Sequence, residues 1–220
     1  MLSVKKYMRV CRGLVALLCF AAVMAEATTA RAEVRMYTLV RTRLLDLSHT
    51  STIDIFLKQE NRFRESGLVL NKVFVGLKPK IRPWLSVQIY YANKDLNYTR
   101  HLNKHMVVGD IILSTRLGSF AIKNRNGNEW HITDHFYRYR NYSAFAWSTP
   151  VGWLTLWTAE EWRFDSDQSR VNMNDIRLGI ALGLRKRLNS KIFFDLESKR
   201  RNSVSWRENP FLGMELMATL

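Results

Sequence analysis

Three short stretches carry residue types that could do chemistry. "HIT" places His131 and Thr133 two apart. A histidine base beside a hydroxyl is the pairing that activates a nucleophile, and some outer-membrane lipid deacylases use a His-x-Ser pair with a carboxylate. Here threonine stands in the serine position. "HLNKH" spaces His101 and His105 four apart, a metal-ligand spacing on a helix, but in a polar stretch with no third ligand in view. Glu160 and Glu161 offer two carboxylates for acid–base work on a glycosidic bond. If that segment is a strand, neighbours in sequence point to opposite faces and cannot share a site. The expectation is therefore no catalytic residues, no metal site and no cofactor.

What would position such residues is read from the pattern around them. In "DIRLGIALGLRKR" (175–187), Ile176, Leu178, Ile180, Leu182 and Leu184 take every second place. Arg177, Gly179, Ala181, Gly183 and Arg185 fill the gaps. Period two predicts a strand with one greasy and one polar or small face. The pattern recurs at 51–64, 67–78, 84–91, 105–117, 120–132, 136–147, 153–164, 191–200 and 211–220. Short connections are expected at 79–83, 118–119, 148–152 and 186–190, and long polar ones at 92–104, 165–173 and 201–210. Pro79, Pro83, Pro150 and Pro210 fall in turns or loops on this reading. Residues 33–50 fit neither pattern and are read as a periplasmic lead-in, a plug or an eleventh strand, which would call for a twelfth.

The N-terminus gives these strands a setting. Lys5, Lys6, Arg9 and Arg12 precede the apolar run "GLVALLCFAAVMA" (13–25), and small residues follow. A basic start, a short apolar run and small residues predict a secretory signal peptide over 1–32, with cleavage after Ala32 ("ARA") favoured over cleavage after Ala27 ("AEA"). The run is too short for a membrane helix, which needs roughly 20 residues. Removing 1–32 removes both cysteines, Cys11 and Cys19, and leaves a net charge of +11 from 29 Lys+Arg and 18 Asp+Glu. Disulfides and thiol chemistry are thereby excluded from the mature chain. The cations alternate with apolar residues rather than cluster, so nucleic acid is not the expected partner; anionic lipid is.

Short and long connections alternate, and strands of about 9–11 residues suit a tilted crossing of a bilayer. Trp84, Trp147 and Trp153 gather at one set of strand ends, and Tyr91, Trp130, Tyr137 and Trp162 at the other, as interfacial girdles do. The expected fold is an all-β, closed antiparallel transmembrane up-and-down barrel of about ten strands over 51–220, twelve being possible. Both termini would be periplasmic, the location the outer membrane and the chain a monomer. Greasy faces would meet lipid and polar faces the lumen. Glu160, Asn141, Ser143, Gln59 and Asn61 interrupt the greasy faces.

"RNGNEWHI", "FYRYRN", "EEWRF" and "NDIRLGIALGLRKR", in this order after a signal peptide, resemble the outer-membrane barrels of the domain of unknown function 2490 family. There an "E-x-R" strand precedes an "R-x-R" strand, and an acidic strand precedes an "N-x-x-R-x-G" strand. The resemblance covers roughly 50–220 and implies an outer-membrane location with no known activity. The chain ends on Leu220, where that family usually has an aromatic.

The polar faces would form a luminal charge network of Glu60, Arg62, Arg125, Glu129, Arg138, Arg140, Glu161, Arg163, Arg177, Arg185, Asp195 and Glu197. Glu129 is expected opposite Arg138 and Arg140, and Glu161 opposite Arg177, because a buried charge is costly unless paired. Lys94, Arg100, Lys104, Arg201 and Arg207 are assigned to outer loops, where they would meet lipopolysaccharide phosphates. Partners are outer-membrane lipid, lipopolysaccharide and, during insertion, the assembly machinery. The expected role is structural or a narrow conduit. The alternatives are a soluble periplasmic β-sandwich or lipocalin-like binder with its greasy faces inward, and an outer-membrane lipid-modifying hydrolase using His131.

Overall fold

The computed structural model describes residues 33–48, 51–64, 66–96, 102–168, 170–185, 187–200 and 205–220. They form one closed barrel: β1 (Glu33–Asp46), β2 (Thr52–Arg64), β3 (Gly67–Arg82), β4 (Leu85–Leu96), β5 (Leu102–Leu117), β6 (Phe120–His131), β7 (Phe136–Ser148), β8 (Leu154–Asp165), β9 (Arg170–Arg185), β10 (Leu188–Arg200) and β11 (Trp206–Thr219). Each strand is hydrogen-bonded to its sequence neighbours in antiparallel fashion. The ring closes where β1 meets β11 in parallel, from Glu33↔Phe211 to Arg41↔Thr219.

The strand number corrects the sequence reading. Residues 33–46, left open above, form β1, and no twelfth strand accompanies it among the described residues. An odd number of strands cannot alternate direction all the way round, so one neighbouring pair must be parallel. The two ends of the chain supply it. β1 and β11 run in the same direction, so Glu33 and Leu220 lie at opposite ends of the barrel, not on one side as expected. We call the end that holds Leu220 and the turns at 83–84, 118–119, 149–153 and 186–187 the base. The opposite end is the top.

The connections at the top are shorter than the polarity of the sequence suggests. β4 runs to Leu96 and β5 starts at Leu102, so most of 92–104 is strand; β8, β9 and β11 likewise take up much of 165–173 and 201–210. In these extensions both faces are polar, and alternation of hydrophobicity no longer marks the strand. Two prolines also lie within strands. Pro79 pairs with Ile53 on β2 but has no partner in the β3–β4 ladder. Pro210 pairs with Leu196 on β10, one residue above the point where β1 begins to pair with β11. Each sits where one side of the ladder is open, so the missing N–H breaks no bond there. At the base, Gly118 turns β5 into β6 with a positive φ of 59°, a conformation that costs a residue without Cβ least.

The irregular registers lie near strand ends, at Arg43/Leu45, Arg62/Phe63, Lys80/Arg82, Arg163/Phe164 and Leu188/Asn189. The middle of every strand therefore keeps its parity, and a period-two sequence maps onto two distinct surfaces. On β9, Ile176 and Leu178 are exposed on the outside while Asp175 is fully buried inside. The same holds round the ring: Leu57, Val75, Ile89, Ile111, Ile122, Leu156, Phe194 and Leu216 are exposed, and Glu60, Asp110, Glu129, Glu161, Asp195 and Glu197 are buried. The inside is not wholly charged. Phe56, Phe74, Tyr90, Ala92, Met106 and Val108 pack into an apolar cluster on the β2–β5 wall.

Candidate functional site: the charged lumen

The inward positions of β1, β2 and β5–β10 build a connected lattice of arginines and carboxylates. Arg35 on β1 is fully buried and reaches past β11 to β10, with Nη1 2.7 Å from Asp195 Oδ2 and Nη2 2.6 Å from Glu197 Oε2. Its guanidinium lies 3.4 Å above the centre of the Phe211 ring on the intervening strand. Arg62 on β2 donates to Glu60 at 2.7 Å and reaches Glu197 at 3.6 Å. Arg177 on β9 links Asp195 at 3.0 Å, Asp175 at 3.0 Å and Glu161 at 3.5 Å. Arg163 joins Glu161 and Asp175, and Arg125 approaches Glu161 at 3.6 Å. A charge removed from water is tolerated only when a geometrically good partner replaces the lost hydration. A fork-shaped guanidinium can satisfy two carboxylates at once, which lysine does less well.

Arg140 is the second crossing point. From β7 its Nη1 lies 3.0 Å from Glu129 Oε1 on β6, while Nη2 lies 3.0 Å from Asp110 Oδ1 on β5 and also meets the Tyr90 hydroxyl on β4. To reach β5 it must pass over β6, and the residue beneath it is Gly127. A Cβ at that position would land against Asp110 Oδ1 and within 2.9 Å of Arg140 Nε. The glycine is therefore needed for clearance. Nearer the top, Arg138 holds Asp165 by two hydrogen bonds and lies 3.7 Å from Glu129.

Each residue assigned from sequence can be placed. Glu60, Arg62, Arg125, Glu129, Arg138, Arg140, Glu161, Arg163, Arg177, Asp195 and Glu197 all belong to the luminal lattice, and Glu129 meets both Arg138 and Arg140 as Glu161 meets Arg177. Arg185 is the last residue of β9, and its side chain lies outside the described residues. Sequence reasoning missed Arg35, because its role depends on β1 closing the ring against the far end of the chain. It also missed Asp110 and Asp175 as partners.

Of the cations assigned to outer loops, Lys94 must be reassigned. It lies in β4 and shares the inward parity of Tyr90 and Ala92, so it lines the lumen. Lys104 lies in β5 and pairs with Asp134 at 2.8 Å. Arg207 is exposed near the start of β11. Arg100 and Arg201 lie outside the described residues.

The three chemical candidates separate in space. His131 is buried, stacks on Phe136 and lies 3.1 Å from Glu129 through Nε2. Thr133 is in the turn that follows, and its hydroxyl accepts a hydrogen bond from the His105 backbone N–H at 2.9 Å. No hydrogen bond joins His131 to Thr133. His105 is on a strand, so helical ligand spacing does not apply to it, and its ring meets Tyr91; His101 lies outside the described residues. Glu160 is exposed on the outer face and Glu161 is buried inside.

The interruptions of the outer face on β6–β9 lie side by side, while Gln59 and Asn61 bond each other on β2. Asn126 lies opposite Asn141, and Asn124 opposite Ser143. Asn126 Oδ1 accepts from the Tyr139 hydroxyl at 2.6 Å and from Asn141 Nδ2 at 2.8 Å, while its Nδ2 donates to Asn124 Oδ1 at 2.6 Å. Asn124 Nδ2 donates to Ser143 Oγ at 2.9 Å, and Glu160 accepts from Asn174 at 3.3 Å. Side chains that bond one another need less water.

A cavity of about 400 Å³ remains in the lumen, between this lattice and the β2–β6 wall. A second, of about 850 Å³, opens at the base among Arg41, Arg43, Lys78, Lys80 and Arg82. No protein-family model and no curated protein matches the chain.

Proposed function

We propose that the chain is a small outer-membrane β-barrel whose lumen is braced by ion pairs, with a structural or narrow-conduit role and no catalysis. The observation that carries this reading is the inversion of the two surfaces. Fully buried Arg35, Asp195 and Glu197 lie inside, and exposed aliphatics such as Leu57, Ile89 and Leu178 lie outside. Water as outer solvent would favour the reverse; hydrocarbon favours this arrangement and also requires a sheet without edges. Trp84 and Trp147 toward the base and Trp130 and Tyr137 toward the top are exposed where interfacial girdles would lie. The signal-peptide pattern of residues 1–32 supports export, and the motifs at 120–200 support kinship with the domain of unknown function 2490 barrels. On this reading the partners are outer-membrane lipid, the assembly machinery and, at the top, lipopolysaccharide phosphates beside Lys104 and Arg207.

A soluble lipocalin-like binder has one observation in its favour, the inner apolar cluster around Phe56, Phe74 and Tyr90. It leaves the exposed aliphatic belt unexplained. Cell fractionation and gel migration with and without boiling separate the two. A fast-migrating unboiled form that shifts on heating and is found in outer membranes is the expected result. A soluble periplasmic form with no shift overturns the membrane reading.

A further inference from the structure

The charges in the lumen are not evenly satisfied. The carboxylates facing the cavity are committed: Glu60 to Arg62, Glu129 to Arg140 and His131, Glu161 to Arg163 and Arg177, and Glu215 to Lys191. The arginines facing it from β2 and β6–β9 are paired as well. Five lysines facing the same cavity are not. Among the described residues, Lys58, Lys72, Lys78, Lys94 and Lys123 have no carboxylate within salt-bridge distance, Lys78 lying at the border with the base cavity. Three of them lie over aromatic rings, Lys58 Nζ at 4.6 Å from the Tyr37 ring centre, Lys72 Nζ at 4.6 Å from that of Phe74 and Lys123 Nζ at 5.9 Å from that of Tyr142. A ring face holds an ammonium in place and leaves N–H donors for an acceptor. The uncommitted charge of the chamber is therefore positive.

The chamber is also partly apolar. Phe56, Phe74, Tyr90 and Met106 on one wall face Trp157 and Phe193 on another. Its volume of about 400 Å³ lies in the range of small-molecule sites, which combine an apolar lining with a few placed polar groups. An inorganic anion would use the lysines and leave the rings idle. A neutral hydrocarbon would do the opposite.

We propose that the lumen binds a small organic anion, a carboxylate or phosphate monoester on an aromatic or aliphatic body, with Lys58 and Lys72, whose ammonium groups both lie over the Phe74 ring, taking the anionic group and the Phe56–Phe74–Tyr90 wall taking the body. The inference deepens the barrel reading above: the lumen is a binding chamber braced by the arginine lattice rather than only a conduit. Lys94, toward the top on β4, places a further cation along the same wall. Because the carboxylates of the chamber are already held by arginines, His131 and Lys191, the remaining lysines account for an anion preference.

The test uses the barrel in a zwitterionic detergent. Phenyl phosphate and benzoate are titrated by calorimetry beside inorganic phosphate and neutral benzyl alcohol. The expected result is saturable binding of the two organic anions, at least about tenfold tighter than of either control, weakened by about tenfold or more in K58Q/K72Q. R187Q, exposed at the base and outside the lining of both cavities, serves as the unchanged comparison. Equal binding of inorganic phosphate overturns the role of the apolar wall. Binding that survives in K58Q/K72Q overturns the lysine site, as does no saturable binding at millimolar concentration. If anionic phospholipid added to the micelles displaces the probes and itself binds with the same lysine dependence, the occupant is a lipid headgroup and the soluble-anion assignment fails. Heat-shifted migration is recorded on every sample, so loss of binding in a folded barrel counts against the site alone and loss of the shift counts against the barrel.

Discussion

At the residue scale the decisive feature is how far single arginines reach. Arg140 spans from β7 to β5 and touches Glu129, Asp110 and Tyr90 in doing so. Replacing it by methionine keeps much of the volume and strands Asp110, whose side chain is fully buried. The expected cost is about 3–5 kcal/mol, the usual penalty for one partner of a buried pair. Changing Asp110 to asparagine in the same chain removes the orphaned charge and should return most of that loss. Midpoints of the heat-induced gel shift in R140M, D110N and R140M/D110N measure this, and additive effects would show that the two do not interact. G127A tests the same crossing from below, because its Cβ collides with both partners. It should destabilise by about 1–3 kcal/mol, the usual range for overpacking, although it removes no charge. These pairs were legible in part. Parity and strand adjacency put Glu129 beside Arg138 and Arg140, since all three sit at inward positions of one hairpin. Lys94 was misplaced because Asn93, Lys94 and Asp95 are polar on both faces, so nothing in the sequence distinguishes that strand end from a loop.

At the element scale the question is how β1 finds its place. From β2 to β11 each strand pairs with its sequence neighbour. The β1–β11 contact instead joins residues near the two ends of the chain, and Arg35 and Asp195 are 160 positions apart. No periodicity signals such a pairing. It follows only from the rule that strand edges in hydrocarbon must be closed, and the parity rule drawn from hairpins pointed to an even number. The pairing is directly testable because residues 33–220 contain no cysteine. Thr38 faces Leu216 across the parallel ladder. A T38C/L216C variant should give a cross-linked species, under mild oxidation or with a short bifunctional thiol reagent, that migrates differently after boiling. T38C paired with A218C, out of register by one inward–outward repeat, should cross-link less. No cross-linking in either, with the heat shift retained, would mean that the barrel closes without β1. The outer asparagines belong to this scale too. β6 to β9 tolerate Asn124, Asn126, Asn141 and Glu160 on their outer face because the amides bond to one another across strand pairs, which a strand-by-strand reading sees only as interruptions.

At the scale of the whole molecule, the parallel closure sets the two chain ends apart. β11 descends to Leu220 at the base, so β1 also descends, and it must begin at the top with Glu33. In outer-membrane barrels the short turns lie on the periplasmic side. The base carries three two-residue connections, at 83–84, 118–119 and 186–187, against one at the top, at 65–66, which makes it the periplasmic end on the proposed reading. If cleavage follows Ala32, the new N-terminus then lies at the cell surface, although the chain entered the membrane from the periplasm. An epitope inserted directly after Ala32 should be labelled by antibody on intact cells, while the same epitope appended after Leu220 should be labelled only after the outer membrane is permeabilised. The reversed pattern would invert the orientation and leave the fold untouched. Labelling of both epitopes from the same side would contradict the parallel pairing itself, because a parallel pair at the seam cannot place Glu33 and Leu220 at the same end of the barrel.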